Sequence, residues 1–267
     1  MTHGRGRRPQ TPDGRDWHID KLKARIAAGT SVPIQWNAEK ILDQGKNGTC
    51  VSAGILGACD SDDANHALSQ FGDADIVPFF LTIANHGDLP DGGAEVRDGL
   101  KAGKAAGYID SYAAIDNNDD LDEWLDKYGP VVCGSVWDDQ MMTPAGDLVV
   151  PANDLATCPD GHCYRMEGMD AGYRHFANSW GTGWAAHGLF RMNRSDFTML
   201  WNAGGEVWAI TQAAPNPTPP TPTPPVPPPG PAPAPCDNTI VKSVIRILKA
   251  VETAVGKAVK DLEELLG

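Results

Sequence analysis

A proline-rich run near the carboxyl end limits how this chain can fold. Residues 213–235 contain thirteen prolines among twenty-three residues and no charged side chain. Such a run cannot pack a core, so we expect an extended polyproline II linker of up to about 70 Å, at roughly 3.1 Å per residue. The chain therefore divides into a mobile amino-terminal extension over residues 1–30, a globular domain over 31–212, the linker over 213–235, and a final segment over 236–267.

The segment after the linker has the pattern of an amphipathic helix. Its apolar residues keep a seven-residue repeat through Val241, Val244, Leu248, Val251, Val255, Ala258, Leu262 and Leu265. This repeat predicts a homo-oligomer or docking on another protein, because a lone helix of this length is marginal in water. A membrane-surface helix is the alternative, and the near-zero net charge of the segment disfavours it. Cys236 at its start either cross-links neighbouring chains or stays a free thiol.

The charge of the chain is concentrated in its globular part. The formal net charge is −13, and residues 236–267 hold five basic and five acidic residues, so the whole excess lies in residues 1–212. An acidic globule argues against nucleic acid as the main partner. The basic cluster of Arg5, Arg7 and Arg8 is expected to belong to a disordered Gly-rich tail. With no signal peptide or transmembrane run visible, the compartment stays unknown, with a cytoplasmic or virion-associated protein from a phage or bacterial source as the expectation.

The stretch from Asp43 to Leu56 places one thiol where a polar loop becomes an apolar, helix-like run. Gly45 and Gly48 bend the loop, and Cys50 follows at the expected start of a helix. The positive end of the helix dipole and the free N–H groups there lower the pKa of a thiol and favour the nucleophilic thiolate. A single cysteine is more often a packing residue, so a nucleophile also requires a base and an orienting group.

Two downstream motifs supply candidates for the base and the orienting group. The first is Gly161-His162-Cys163-Tyr164, and the second is Asn178-Ser179-Trp180-Gly181-Thr182-Gly183-Trp184. The order Cys, His, Asn, with more than a hundred residues between the first two, resembles that of the papain-like cysteine peptidases over about residues 31–212. The second motif is the most specific part of this resemblance.

The resemblance implies a role for each of four catalytic candidates. Cys50 would be the nucleophile and His162 the base that takes its proton, so that the pair rests as thiolate and imidazolium. Asn178 would orient the imidazole, and the side-chain amide of Gln44 would bind the oxyanion. Trp180 would screen the hydrogen bond between histidine and asparagine from water.

The resemblance also implies a set of substrate-binding positions. Gly92 and Gly93 would leave their backbone bare beside the cleft, so that an extended peptide pairs there as an added strand. An ordinary turn before a helix is the alternative. The pocket for the second residue on the acyl side is expected near Gly134 and Cys163, where small residues allow a bulky apolar side chain. Trp184 would line the leaving-group side, with plain core packing as the alternative.

The order of hydrophobic patterns predicts an α+β fold. Helical patterns occupy the first half, at residues 17–28, 50–59, 94–106 and 121–127, and residues 76–83 are apolar without a clear period. Strand patterns follow, at residues 131–136, 148–150, 163–169, 175–178, 189–192 and 207–211. Together with the resemblance, this predicts a papain-like fold of two lobes, a helical lobe and a β-barrel-like lobe, followed by the linker and the amphipathic helix.

Several other interpretations carry less weight. Six cysteines imply no dense disulfide framework. No cofactor is expected, and a metal site of Cys158, His162 and Cys163 lacks a matching fourth ligand. His175 is the rival base. Only about thirty residues precede the expected domain, too few for the usual inhibitory pro-segment of the family, so we expect either no zymogen or a short segment that acts in another way.

The sequence thus predicts a cysteine-type endopeptidase that hydrolyses peptide bonds in protein or peptide substrates. The alternative is a virion or assembly scaffold, or a binding component, whose papain-like fold has lost proteolysis or retains it incidentally. All four catalytic positions are occupied, which favours the enzyme.

Overall fold

The computed structural model describes most of the globular part of the chain. The residues described are 3–10, 13–14, 16–25, 40–61, 71–144, 147–150, 155, 158 and 160–212. They belong to a unit that spans Met1–Asn216. The proline-rich linker, the carboxyl-terminal helix and Cys236 lie outside the described residues, so their predictions stay untested.

Six α-helices lie in the described part of the chain. They are α1 (Ile19–Arg25), α2 (Cys50–Asp60), α3 (Asp73–Phe80), α4 (Val96–Ala105), α5 (Asn118–Lys127) and α6 (Arg194–Asn202). The side chain of Asn117 caps α5 and that of Asn193 caps α6, each accepting a hydrogen bond from a first-turn N–H. Helix α2 is buried along its whole length. None of these described helices is long and apolar enough to cross a membrane.

Six strands form one antiparallel sheet among the described residues. They are β1 (Ile109–Ala114), β2 (Val131–Val136), β3 (Gly161–Met169), β4 (Tyr173–Ala177), β5 (Leu189–Asn193) and β6 (Glu206–Gln212). Their order across the sheet is β1-β6-β2-β3-β4-β5, so β1 and β5 form the edges. Strand β2 pairs with both β3 and β6, which aligns Gly134 with Cys163 on one side and with Glu206 on the other.

The sheet separates two apolar cores because alternate residues of each strand face opposite sides. On β6, Val207 and Ala209 pack with α1, α5 and α6, whereas Trp208 and Ile210 pack with α2, α3 and α4. Strand β3 does the same with Tyr164 and Cys163. The helix that carries Cys50 therefore lies on one face of the strand that carries His162.

The α+β class and most elements agree with the sequence prediction, and three elements do not. Residues 148–150 are an irregular segment rather than a strand, held at Leu148 by one hydrogen bond from its N–H to the Arg191 carbonyl. Helix α6 and strand β1 were not predicted. Helix α6 follows the capping residue Asn193. It has too few apolar residues for their spacing to distinguish a helix from a strand.

A buried ion pair within β3 contacts the end of α2. The Arg165 Nε donates to the Glu167 carboxylate at 2.6 Å, and the Ser61 hydroxyl donates to the same oxygen at 3.1 Å. Both charged side chains are almost completely buried. Gly57 makes room for this pair, because a side chain there would overlap the Arg165 guanidinium.

Removing one partner of this pair tests its contribution to stability. We expect Glu167→Ala to lower the free energy of unfolding by about 3–5 kcal/mol, because it leaves the Arg165 charge buried without its carboxylate. The exposed pair of Arg191 and Asp147 is the control, and Asp147→Ala should leave stability almost unchanged, since solvent screens such pairs. Urea unfolding at pH 7, followed by tryptophan fluorescence, compares the two variants. Equal losses would contradict this account of the buried pair.

Candidate active site

Cys50 begins α2 and has no exposed surface. Backbone N–H groups of Cys163, Gly6 and Val51 lie beside its thiol and favour its ionised form. The contact with Cys163 brings the thiol to the residue that follows His162 on β3. The packing of α2 on β3 therefore joins two motifs that lie far apart in the sequence.

His162 and Asn178 form a direct hydrogen bond between β3 and the end of β4. The distance from His162 Nε2 to Asn178 Oδ1 is 2.6 Å, and both residues are buried. The same Asn178 oxygen accepts the Ser179 backbone N–H at 2.7 Å, which fixes the amide. His162 Nδ1 is buried and has no hydrogen-bond partner in the described part of the chain. One ring nitrogen is thus held by Asn178 and the other stays available for proton transfer.

Aromatic rings cover the His162 imidazole. Trp180 stacks on it with ring centroids 4.4 Å apart at 27°, and Trp137 meets it edge-on at 4.9 Å. Trp180 and Trp137 also contact each other edge-on. This packing excludes water from the imidazole and fixes its orientation.

Gln44 lies beside the loop that follows β4. Its backbone N–H donates to the Ser179 carbonyl at 2.9 Å, and its side-chain oxygen accepts the Ser179 hydroxyl at 2.7 Å. These contacts orient the amide nitrogen, which donates to the Asn47 carbonyl at 2.8 Å and to the Gly4 carbonyl at 3.1 Å. A side-chain donor here reaches a peptide carbonyl that comes from the amino terminus of the chain.

Residues 3–8, which we call the cleft segment, run between the two halves of this site. The N–H of Gly4 donates to Gly45 and that of Arg7 to Gly161, each at 3.1 Å. Ala94 accepts the Arg8 N–H and donates to the Gly6 carbonyl, both at 2.8 Å, which makes a parallel bridge. The segment was expected to belong to a mobile tail. The structure instead gives these residues a defined place beside Cys50.

Glycines on both sides allow this close contact between backbones. A Cβ at Gly4 would overlap the Asn47 carbonyl, and one at Gly6 would overlap the Gly48 carbonyl. On the opposite wall, a Cβ at Gly93 would overlap the Gly6 carbonyl. The internal segment contacts Gly93 and makes its two hydrogen bonds with Ala94. That a substrate pairs at Gly92 and Gly93 stays a prediction.

Side chains of the cleft segment fill the surrounding surface. His3 stacks on Trp180 with centroids 4.9 Å apart. The Arg5 guanidinium lies 2.8 Å from the carboxylates of Asp139 and Asp160. Arg7 is buried beside Glu206. The sequence analysis did not predict these contacts. One signal could have found them: glycine and arginine alternate at residues 4–7, which suits a segment whose backbone lies in a narrow cleft.

The cleft segment does not place a single carbonyl group at both the Cys50 sulfur and the oxyanion donors. Nucleophilic attack requires one carbonyl group with its carbon at the sulfur and its oxygen at the oxyanion donors. Here the group at the Cys50 thiol is the N–H of Gly6, whereas the Gln44 amide and the Trp180 indole N–H both donate to the carbonyl of Gly4. The contacts to sulfur and to the donors therefore fall on different peptide groups.

Burial holds the thiol and the imidazole in their neutral forms. It raises the pKa of Cys50 to about 11, against the lowering effect of the nearby backbone N–H groups and of Arg7. It lowers the pKa of His162 to about 3, although the hydrogen bond to Asn178 opposes this shift. With the cleft filled, the pair is neutral at pH 7 rather than the thiolate–imidazolium pair expected from the sequence.

Three predicted substrate-binding residues remain, Gly134, Cys163 and Trp184. Gly134 faces the cleft segment, and the side chains of the other two are buried. Gly134 faces the Arg7 guanidinium, and a side chain there would crowd Arg7 and Glu206. The Cys163 sulfur lies against Gly54 in α2, so its backbone rather than its thiol meets Cys50. Trp184 is buried, and its indole N–H donates to the Met142 carbonyl at 2.6 Å; its place in the cleft wall stays a prediction.

The weaker interpretations of the sequence find no support in the described residues. His175, on the interior strand β4, pairs with the Asp170 carboxylate at 2.9 Å. Cys50, Cys133, Cys158 and Cys163 are free thiols. Within the described ranges, no group of three or more His, Cys, Asp or Glu side chains is placed to hold a metal ion.

Solved structures with the same fold are papain-like cysteine proteases. Xylellain, a cysteine protease from Xylella fastidiosa, has a TM-score of 0.59 and 18% identity, over 80% of this chain and 98% of that one. Procathepsin L2 from the larval midgut of Tenebrio molitor has a TM-score of 0.57 and 17% identity over 78% of each chain. Procathepsin B S9 from Trypanosoma congolense has a TM-score of 0.54 and 12% identity, over 80% and 87%.

No protein-family profile and no curated protein matches this sequence. The structural likeness confirms the resemblance that the motifs indicated, and at these identities it shows the fold alone. The chain has a papain-like α+β fold.

The tight fit of Gly6 predicts how the cleft can be opened. Gly6→Ala should displace the cleft segment and expose Cys50, because the added methyl group has no room against Gly48. In the parent chain a thiol with a pKa of about 11 is only about 0.1% ionised at pH 8. We therefore expect iodoacetamide to alkylate Cys50 at least about 10-fold faster in the variant at pH 8, as measured by peptide mass spectrometry.

Gly14→Ala is the matched control, because a Cβ at Gly14 meets no atom within 4 Å. Its Cys50 should react at the parental rate. Equal rates in all three proteins would show that residues 3–8 do not protect the thiol.

Proposed function

We propose that this protein is a cysteine endopeptidase whose own amino-terminal segment keeps it latent. One observation supports this most directly: a peptide backbone, that of residues 3–8, lies across Cys50 and the Gln44 amide and pairs with Ala94 and Gly161. The site is therefore shaped to hold an extended peptide beside a thiol. The papain-like fold of the chain agrees with this chemistry.

Each polar group of the site has one step in the proposed reaction. Once a substrate replaces the cleft segment, His162 Nδ1 takes the Cys50 proton, and the thiolate attacks the scissile carbonyl carbon. The Gln44 amide donates to the oxygen that becomes negative. The imidazolium then protonates the leaving amine, and a water molecule, deprotonated by the same ring, hydrolyses the thioester. Asn178 keeps the ring in place through Nε2.

Latency follows from the register and the electrostatics of the filled cleft. The cleft segment offers an N–H to the sulfur and leaves the thiol and imidazole neutral. Departure of the segment admits water and substrate, which reverses the desolvation that raises the thiol pKa. We therefore expect the full-length chain to hydrolyse peptides slowly and variants with an open cleft to hydrolyse them faster.

A binding or scaffold protein is the second candidate. The filled cleft is the observation that favours it, because a peptide-binding site without turnover would look the same. Catalysis distinguishes the two, since only the enzyme needs the thiol of Cys50.

Peptide hydrolysis by Gly6→Ala protein tests the proposal. Adding Cys50→Ala should abolish hydrolysis, and adding Gln44→Ala should lower kcat by about 10²–10³-fold, the usual effect of losing one oxyanion donor. Gln140→Ala, at an exposed position of the turn over Asp139–Met141, is the matched control and should keep full activity. Hydrolysis that survives Cys50→Ala would refute a thiol mechanism. Correctly folded Gly6→Ala protein without hydrolysis, but with peptide binding, would favour the scaffold.

A further inference from the structure

A second thiol lies next to Cys50, in the contact between α2 and β3. Cys50 and Cys163 are both free, completely buried and part of the same apolar core. The backbone N–H of Cys163 lies beside the Cys50 sulfur. Only the N–Cα, Cα–Cβ and Cβ–S bonds of one residue separate that N–H from the second sulfur. The two sulfurs are therefore joined by one non-covalent contact and the bonds of a single short side chain.

The side chain of Cys163 lies along the face of α2 that carries Cys50. Its sulfur packs on Gly54, where a Cβ would lie only 2.8 Å from it. Gly54 comes one helical turn after Cys50, and residues four apart in a helix are neighbours on one face. Glycine at this position makes room for the sulfur. Cys133, on the neighbouring strand β2, provides a contrast because it packs in the core on the opposite face of the sheet.

The electrostatics of the pair assign different roles to the two thiols. Burial raises the pKa of both. At Cys50 the neighbouring N–H groups and Arg7 oppose this shift, whereas at Cys163 the charge of Cys50 adds to it. Cys50 therefore ionises first, and the thiolate is the form that reacts with an oxidant. The first step of an oxidation belongs to Cys50, and Cys163 is placed to take part in the second.

We propose that Cys163 is a resolving thiol, which converts peroxide-oxidised Cys50 into an intramolecular disulfide. The Cys50 thiolate attacks one oxygen of hydrogen peroxide, the O–O bond breaks, and the departing hydroxide takes up a proton as water, which leaves a sulfenic acid. The Cys163 sulfur then attacks the Cys50 sulfur. The S–O bond breaks, and the hydroxyl group leaves with the Cys163 proton as a second water. Two thiols are oxidised to one disulfide, and one peroxide is reduced to two water molecules.

This disulfide makes oxidation of the nucleophile reversible. A sulfenic acid without a neighbouring thiol is oxidised further to a sulfinic acid, which thiol reductants do not restore. A disulfide returns to two thiols by exchange with a reductant. The accompanying loss of hydrolysis rests on the proposed peptidase function. Formation of the disulfide does not rest on it, because mass spectrometry detects the bond itself.

The experiment treats full-length Gly6→Ala protein with hydrogen peroxide at pH 8, blocks the remaining thiols with N-ethylmaleimide and maps the peptides by mass spectrometry. We expect a disulfide between Cys50 and Cys163 that dithiothreitol reverses. It should form at least about 10-fold faster than in the parent chain, where residues 3–8 cover the thiol. Adding Cys163→Ala should abolish the disulfide and leave Cys50 as the sulfinic acid, with two added oxygen atoms. Adding the matched control Cys133→Ala should keep the disulfide.

Peptide hydrolysis of the same samples separates this inference from the proposed function. Hydrolysis that peroxide abolishes and dithiothreitol restores, except in the Cys163→Ala protein, supports both. A disulfide in protein that hydrolyses no peptide supports the resolving thiol and counts against the peptidase. A sulfinic acid at Cys50 with Cys163 still a thiol overturns the inference, as does a disulfide to another cysteine or a Cys50 that peroxide leaves unchanged. If Gly6→Ala protein does not fold, Arg7→Gln protein, whose cleft segment has lost its ion pair with Glu206, undergoes the same treatment.

Discussion

The organisation of the active site depends on backbone-to-backbone contact between residues 3–8 and the two walls of the cleft. Hydrogen bonds from this segment reach the α2 side at Gly45, the α4 side at Ala94 and the sheet at Gly161. They are compatible with van der Waals contact only because glycine stands where the walls approach most closely. The same segment covers Cys50 and places Arg7 against Glu206, so one stretch of backbone determines both the geometry and the protonation state of the site.

Two electrostatic environments lie side by side in this cleft. Around Cys50 and His162, aromatic rings and backbone exclude water, and neutral forms are favoured. Around Arg7, a carboxylate, an indole N–H and a carbonyl are arranged for one guanidinium. One segment joins the two environments, because Gly6 lies at the Cys50 thiol and the next residue, Arg7, lies at Glu206.

Local patterns predicted which residues come together at the site better than they predicted the segment that fills it. The Cys50 helix start and the motifs around His162 and Asn178 are contiguous signals, and the structure brings all three together. Arg7 and Glu206 are 199 residues apart, and a Gly- and Arg-rich terminus resembles a disordered tail by composition. No local pattern reports such a pairing. Residues 148–150 were predicted as a strand because they are apolar. Leu148 and Val150 pack on the core and Val149 is exposed, but the one bond from the Leu148 N–H to the edge strand β5 does not make a ladder.

Amide hydrogen exchange of residues 4–8, before and after a peptidyl epoxysuccinyl inhibitor is coupled to Cys50, tests the central claim most directly. The structure predicts slow exchange at Gly4, Arg7 and Arg8, whose N–H groups bond to the cleft walls, and fast exchange once the inhibitor occupies the cleft. Exchange at the rate of an unstructured peptide in the parent protein would contradict a filled cleft. Protection that persists after coupling would show that the segment binds elsewhere.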